Sequence, residues 1–209
     1  MNSPYRLRLA CSALLLVLAG CSGLRSHEPV VQTYVLLAGV ATPPAAGGNS
    51  GEMPGDGAPM LAVSRPTAAA GLDVERIAVV RSDGRLDYYS ASRWAGNLPD
   101  VLQTLLLDAQ RASGHWRAVL PDTSPFSAER LLQVEVRQFQ AEYAPGASLP
   151  SAHVVLEGTL GRRGERDVLR TLRAESRVTA SADRMTAVVA AFNAALADAL
   201  KQLSAQTSH

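Results

Sequence analysis

Hydrophobic residues recur along the chain with two different spacings, and each spacing predicts one kind of secondary structure. In eight segments they are continuous or occupy every second position, as expected for β-strands with one or both faces buried. These segments comprise residues 32–37, 60–63, 76–81, 85–90, 116–120, 132–137, 153–160 and 168–178. Asp83 and Gly84 lie between the third and fourth segments, and their tolerance of positive φ predicts a two-residue hairpin there.

Two further segments have the three- and four-residue spacing of amphipathic helices. The first predicted helix covers residues 97–112, with Asn97 placed to cap its start and Gly114 just beyond its end. Its apolar positions are Val101, Leu102, Leu105, Leu106 and Ala109. The second predicted helix runs from about residue 183 to residue 203. Its apolar stripe comprises Met185, Val188, Val189, Phe192, Leu196, Ala199, Leu200 and Leu203.

The order of these elements predicts the fold class. Arg173, Glu175 and Arg177 share one face of the last predicted strand, which indicates a sheet face that meets solvent. The strands and the two helices therefore predict an α+β fold, a two-layer domain in which a largely antiparallel sheet packs against two amphipathic helices. We expect one such domain over residues 32–204 and a tail at residues 205–209.

The segment at residues 41–59 interrupts this pattern. It contains four prolines and five glycines and too few apolar residues to offset the entropy lost on ordering. We therefore predict a flexible insertion within the domain. Its glycines are not expected to form a phosphate-binding loop, because they do not follow a strong strand or open a helix.

The N-terminus has the layout of a processed signal. Arg6 and Arg8 precede an apolar run at residues 9–19 that is too short to span a bilayer as a helix. Residues 18–21, Leu-Ala-Gly-Cys, close this run and resemble the lipobox of bacterial lipoproteins. The resemblance implies a signal peptide at residues 1–20, acylation of Cys21 and a tether at residues 21–31. The alternative is an ordinary secretory signal in which the cysteine is incidental.

The net charge and the cysteine content limit which partners and which covalent links we expect for this chain. Because Arg6 and Arg8 leave with the signal, 18 of the 20 basic residues remain beside 19 acidic ones. This balance gives no electrostatic reason to expect nucleic acid as a partner. Cys11 lies in the signal and Cys21 would carry acyl groups, so we expect no disulfide. Acylation would hold the protein on a membrane without a spanning segment.

Catalytic and metal-binding patterns are missing from the sequence. There is no G-x-S-x-G, H-E-x-x-H or Walker motif. His27 and His209 lie in predicted tails, and His115 and His153 have no neighbouring ligand in the sequence, so we predict no metal site and no cofactor. A non-catalytic role is favoured, although a lipid-anchored periplasmic enzyme remains an alternative.

Tyr88, Tyr89 and Trp94 concentrate aromatic residues in a chain with an aromatic content of 5%. Aromatic and arginine side chains are typical of partner-binding surfaces, so these three residues and Arg93 are candidate contacts. The competing interpretation, which we favour for the aromatic residues, is packing in the core and at its rim. As strand neighbours, Tyr88 and Tyr89 must face opposite sides of the sheet, so they cannot form one platform.

Several short motifs resemble one family. They are Tyr34-Val35-Leu36, Gly71-Leu72-Asp73, the strand at residues 76–81, Leu86-Asp87-Tyr88-Tyr89, and Arg93-Trp94-Ala95 before a helix. Together with the alanine-rich C-terminal helix, they resemble the ABC-type transport auxiliary lipoprotein family over most of the mature chain.

The resemblance implies an outer-membrane lipoprotein that faces the periplasm and works with an MCE-domain protein and an ABC transporter. Such a system would move lipid between the two membranes. Ser22 after the acylated cysteine fits sorting to the outer membrane. In this role the domain would dock partners without catalysis, with Tyr88, Tyr89, Arg93 and Trp94 as candidate contacts, and a homo-oligomer stays open. A purely structural envelope lipoprotein is the third alternative.

Overall fold

Nine strands and two helices make up the part of the chain that the computed structural model describes, namely residues 30–37, 57–165 and 167–207. The strands are β1 (Gln32–Tyr34), β2 (Leu61–Val63), β3 (Thr67–Ala68), β4 (Arg76–Val80), β5 (Leu86–Trp94), β6 (Val119–Pro121), β7 (Arg130–Glu142), β8 (Ser151–Arg162) and β9 (Val168–Thr179). The helices are α1 (Leu98–Ala112) and α2 (Met185–Thr207). The predicted α+β class, with a largely antiparallel sheet and two helices, is confirmed.

The long strand β7 organises the sheet. Along one side it pairs antiparallel with β8, which in turn pairs antiparallel with β9. Along its other side it pairs in parallel with three short strands in succession, β2, β3 and β4. Beyond these, β6 pairs with β2, β5 pairs antiparallel with β4, and β1 pairs in parallel with β5. Antiparallel ladders therefore dominate by length, and the parallel pairings are all short.

The two faces of the sheet differ, as the alternation in the sequence requires. On β8, Val154 and Leu156 are buried among apolar residues, while Glu157 lies on the opposite face and is partly exposed. Helix α2 packs on β8 and β9, and α1 packs on β2, β6 and α2. The core thus lies between the sheet and the helices, and the other face of β7, β8 and β9 carries mostly polar side chains.

Helix α1 begins one residue after Asn97, whose φ of −57° and ψ of 135° are typical of an N-cap position. The Asn97 side chain makes no capping hydrogen bond, however, so the predicted side-chain cap is wrong. Pro99 in the first turn has no N–H that would need a partner, which lessens the need for a cap. Gly114 follows the helix with φ +69°, a conformation that glycine adopts without strain.

The buried side of α1 is rotated from the predicted stripe. Its fully buried residues are Leu98, Pro99, Leu102, Leu106 and Gln110, whereas Leu105 is only partly buried. The side-chain oxygen of Gln110 accepts hydrogen bonds from Trp116 Nε1 and Thr207 Oγ1, each at 3.0 Å. Because Thr207 is at the end of α2, this buried amide joins the two helices. Helix α2 also continues four residues beyond its predicted end.

A hairpin joins β4 and β5 as predicted, but its loop contains the three residues 82–84 and not the predicted two, because the amide of Gly84 donates to the carbonyl of Arg81 at 2.8 Å. Gly84 has φ +81°, and the amide of Arg81 donates to the carbonyl of Arg85 at 2.9 Å. Farther along β5, the register with β4 shifts, and Ala91 adopts φ +52° in that part of the strand. This irregularity bends β5, which then continues beside β1.

Some predictions fall outside the described residues. The signal at residues 1–20, Cys21 and most of the insertion at residues 41–59 belong to this group. Within the described ranges, no helix is long and apolar enough to cross a membrane. The two-residue strand β3 has no counterpart in the sequence prediction, because a segment of that length has no measurable periodicity.

Candidate functional site

Trp94, the last residue of β5, lies in the core. It is 2% exposed and makes edge-to-face contacts with Phe192, at 5.3 Å between ring centroids, and with Phe139, at 6.0 Å. Phe139 and Phe192 stack on each other at 5.0 Å. These three rings join β5, β7 and α2. The side chain of Trp94 therefore packs the domain and does not form part of a partner-binding surface in this structure.

Tyr88 and Tyr89 point to opposite sides of β5, as expected for strand neighbours. The Tyr88 hydroxyl donates to the carbonyl of Gly71 at 2.9 Å, and the Arg76 guanidinium lies 3.7 Å from the centre of its ring. Gly71 has φ +86°, and a β-carbon there would lie 2.8 Å from Leu86 and 3.2 Å from the Tyr88 hydroxyl. The sequence Gly71-Leu72-Asp73 is therefore constrained where Tyr88 docks.

On the other side of the strand, the Tyr89 hydroxyl is buried and has no hydrogen-bond partner among the described residues. Burial, and then the nearby hydroxyl of Tyr143, raise the pKa of Tyr89. Tyr143 itself donates to Asp183 at 2.6 Å. The Tyr89 phenol thus remains neutral at physiological pH and contributes packing, with little polar surface for a partner.

Arg93 is the most exposed of the four predicted contact residues. Its side chain is half exposed, lies 3.3 Å from Glu75 and donates to the hydroxyl of Thr33 on β1, also at 3.3 Å. The structure therefore does not bring the four residues together as one surface. Arg93 is exposed, Tyr88 and Tyr89 are both partly buried against the core, and Trp94 is fully buried.

A cluster around His153 on the polar face of the sheet was not evident from the sequence. The His153 Nδ1 atom lies 2.9 Å from Glu142 and 2.8 Å from Arg177, and Nε2 lies 3.0 Å from Glu175. Arg177 also donates to the other oxygen of Glu142 at 2.5 Å. His153 is 5% exposed, so its imidazole is held within this cluster. The four residues come from β7, β8 and β9, which are far apart in the sequence.

The electrostatics of the cluster follow from these contacts. Burial alone would raise the pKa of Glu142, but its contacts with His153 and Gln140 and the charge of Arg177 outweigh burial, so the pKa is lowered. The contact with His153 and the hydrogen bond donated by Arg173 hold the pKa of Glu175 below its ordinary value. Both carboxylates are therefore ionised at neutral pH, and the cluster carries alternating charges.

Ion pairs extend this cluster along the sheet. Arg173 donates to Glu175 on its own strand at 2.8 Å. It also donates to Glu157 across the β8–β9 ladder at 2.6 Å. Arg137 extends this series of ion pairs, since it lies 3.7 Å from Glu157 and 2.6 Å from Glu135. The predicted solvated face is therefore present, and it carries cross-strand charge pairs. These pairs are largely exposed, so each contributes little to stability by itself.

A groove of about 790 Å³ lies at one end of this polar face. Its lining includes Ser64, Thr67, Gln133, Glu135, Glu157, Thr159, Thr171 and Arg173. The groove thus offers hydrogen-bonding groups and charges to a ligand or partner, in contrast to the mostly apolar lining typical of small-molecule sites. In the described ranges, no group of three or more His, Cys, Asp or Glu is arranged to hold a metal ion.

The chemistry available to His153 is limited by its contacts. A general base needs a free ring nitrogen directed at the substrate. Both nitrogens of His153 face charged side chains, and no hydroxyl or thiol of the described serine, threonine and cysteine residues is hydrogen-bonded to either. His115 lies exposed in the turn after α1. The arrangement around His153 is therefore that of a structural bridge between strands.

Comparison with known proteins places this geometry in a family. A family model described as ABC-type transport auxiliary lipoprotein component matches residues 38–204. No curated protein gives a significant match. A solved structure from Xanthomonas campestris, assigned to family DUF330, is 30% identical, with a TM-score of 0.65 over 74% of this chain and 89% of that chain.

Two other solved structures were also matched, with lower identity. An uncharacterised protein is 18% identical, with a TM-score of 0.56 over 72% of this chain and 90% of that chain. A lipoprotein from Neisseria meningitidis is 10% identical, with a TM-score of 0.38 over 65% of this chain and 94% of that chain. The match to the family model covers well over half of the sequence and confirms the resemblance found in the sequence motifs. The chain therefore belongs to the family of ABC-type transport auxiliary lipoprotein components.

Proposed function

We propose that this protein is an outer-membrane lipoprotein, acylated at Cys21 and facing the periplasm, in a system that moves lipid between the two membranes. In this system it would act as a non-catalytic auxiliary component beside an ABC transporter and an MCE-domain protein. The observation that carries the proposal is the family match over residues 38–204, since the family is defined as a lipoprotein component of ABC-type transport.

The geometry around His153 supports a role without catalysis. This imidazole is enclosed by Glu142, Glu175 and Arg177, which leaves neither ring nitrogen free to move a proton for a substrate. The groove on the same face is lined by polar residues and ion pairs. Such a surface is suited to docking a protein partner, because charged and hydrogen-bonding groups give orientation and specificity.

Of the candidate contact residues, Arg93 is the one whose side chain is exposed. We therefore propose that Arg93 contacts a transport partner directly and that Trp94 positions it from the core. Arg93→Ala is expected to weaken co-purification of the transporter components while the melting temperature stays near that of the wild type. The matched control is Arg85→Ala, because the Arg85 side chain is 75% exposed in the β4–β5 turn.

Deletion of the gene followed by complementation tests the function as a whole. Loss of the protein should weaken the outer-membrane barrier, measured as sensitivity to detergent, and the wild-type gene should restore it. His115→Ala and His153→Gln should both complement, because no single residue would carry catalysis. Cys21→Ala should fail, since the domain would lose its anchor. Pull-down of the lipidated protein should identify ABC-transporter and MCE-domain components.

Two results would contradict the proposal. If His153→Gln is folded and lipidated but abolishes complementation, a lipid-anchored enzyme becomes the better explanation, because one catalytic residue then controls the activity. If the deletion leaves lipid distribution between the membranes unchanged and pull-down recovers no transporter component, a structural envelope lipoprotein explains the chain better.

A further inference from the structure

Apart from the two-residue β3, which pairs only with β7, three strands form the edges of the sheet in the described part of the chain, namely β1, β6 and β9. An unpaired edge strand presents backbone N–H and C=O groups that can pair with a strand of another chain. Natural proteins close such edges with side chains, prolines or covering elements. The three edges of this sheet are closed to different extents.

The middle of the β9 edge, at Arg173 and Glu175, is covered by two glutamines of α2. The side-chain amide of Gln206 donates to the carbonyl of Arg173 at 2.9 Å and accepts from its N–H at 3.2 Å. Gln202 repeats this arrangement with Glu175, donating at 3.0 Å and accepting at 3.1 Å. Each amide thus takes the place that a residue of an added strand would occupy.

The edge of β6 is also closed. Arg111 of α1 donates to the carbonyl of Val119 at 3.2 Å. Pro121 has no N–H, and its carbonyl accepts a hydrogen bond from the amide of Ser124 at 3.0 Å. A strand added at this edge would find few free backbone groups.

The edge of β1 has no such cover. Within the described ranges, no side chain hydrogen-bonds to the backbone of Gln32, Thr33 or Tyr34. Exposed apolar residues flank this strand, Val31 at 52% and Val35 at 56%. The side chain of Leu36, by contrast, is 3% exposed and faces the core. Residues 31–37 contain no charge that would oppose pairing.

We propose that β1 is a self-pairing surface on which two copies of this chain align their β1 strands antiparallel about a two-fold axis at Thr33. The sequence Val-Gln-Thr-Tyr-Val at residues 31–35 is nearly symmetric about that residue. The pairing places Val31 of each copy opposite Val35 of the other, and Gln32 opposite Tyr34. Two apolar cross-strand pairs form, and no like charges meet.

The chain segments that adjoin β1 are poor alternative occupants of this edge. Residues 38–56 contain three prolines and five glycines, which disfavour a strand. Residues 22–29 carry Arg25 and Glu28 and a proline at 29, and they have no alternating apolar pattern. A second β1 strand matches the edge better in both hydrophobicity and charge.

A charge-pair experiment on the full-length lipidated protein in detergent tests the register. Its mass would be measured by light scattering over a range of concentrations. Val31→Lys or Val35→Glu alone should weaken dimerisation about tenfold, because each change removes both apolar pairs of the symmetric interface. The double variant should regain most of the lost affinity, since the introduced ammonium of one copy then faces the introduced carboxylate of the other. Val168→Glu, at an equally exposed valine on β9, should have no effect.

Covalent trapping provides a second measurement. Thr33→Cys should form an intermolecular disulfide, because the two residues at position 33 would lie on the axis, and the wild type with its native cysteines sets the background. Circular dichroism and thermal melts would check that every variant is folded. A wild type that stays monomeric at all concentrations would overturn the proposal. A double variant that dimerises as weakly as the single variants would also overturn it. So would a monomeric wild type whose single variants no longer co-purify with a transporter component, because β1 would then bind that component and not a second copy.

Discussion

Trp94 is the residue on which the packing of β5, β7 and α2 converges, because its ring contacts Phe139 and Phe192 and is 2% exposed. Trp94→Ala should lower the free energy of unfolding by about 3–5 kcal/mol, since it removes a large buried ring and leaves a cavity. Chemical denaturation of the purified domain measures this loss.

The neighbouring Arg93 provides the control for this prediction. Its ion pair with Glu75 is exposed, so Arg93→Ala should change the stability by less than about 1 kcal/mol. If Trp94→Ala does not fold, Trp94→Phe gives a smaller cavity and keeps the comparison possible. Equal midpoints for Trp94→Ala and Arg93→Ala would mean that Trp94 does not pack as described.

Glu142 links the stability of the fold to pH. Its pKa is lowered in the folded state, so its contribution is fully present above the pKa of the unfolded chain and is lost as the pH falls through the folded value. The unfolded value lies near 4.3, and the wild type should therefore lose stability progressively below about pH 5. Glu142→Gln should be less stable at pH 7 and should show a shallower loss in acid.

Denaturation midpoints measured between pH 7 and pH 3 test this link. Glu165→Gln, at an exposed carboxylate in the β8–β9 turn, should keep the wild-type slope. The interpretation would be wrong if Glu142→Gln and the wild type lost stability in parallel across this range.

Among the elements, α2 has a second role besides packing, because Gln202 and Gln206 cover the edge of β9. Replacing both with leucine should expose the backbone groups of Arg173 and Glu175. Their amide hydrogens should exchange faster with solvent, and the protein should self-associate at lower concentration.

Lys201→Leu is the matched control for this change, since it adds the same side chain to an exposed position of the same helix. Association of both variants to the same degree would assign the effect to surface hydrophobicity and not to the opened edge. Unchanged exchange at residues 173 and 175 in the double variant would show that the amides do not protect the strand.

For the whole molecule, the attachment to the membrane is expected to depend on Cys21. Cys21→Ala should yield an unprocessed or soluble protein, because acyl chains would supply the anchoring and no helix in the described ranges can span a bilayer. Membrane fractionation with a high-salt wash measures the outcome. A Cys21→Ala protein that is fully processed and still resists the wash would refute acylation as the anchor.

Local sequence pattern was sufficient to predict several of the strands and turns. The period-two segments became the long strands β7, β8 and β9, and a hairpin formed at Asp83 and Gly84. These features depend on the burial of each segment and on backbone preferences, and both are properties of neighbouring residues. The motifs near Tyr88 and Trp94 also identified the family before any contact was known.

The contacts between segments that are far apart in the sequence became known only from the tertiary structure. His153 has no acidic residue close to it on its exposed face in the local sequence. The register of β7, β8 and β9 nevertheless places Glu142 and Glu175 beside its two nitrogens. The burial of Trp94 and the glutamine cover on β9, which has no counterpart on β1 among the described residues, likewise arise from packing between elements. Periodicity records which face of a segment is buried, but it contains no information about which segment covers that face. That choice depends on pairing register and on side-chain fit across the sheet, which exist only in the folded chain.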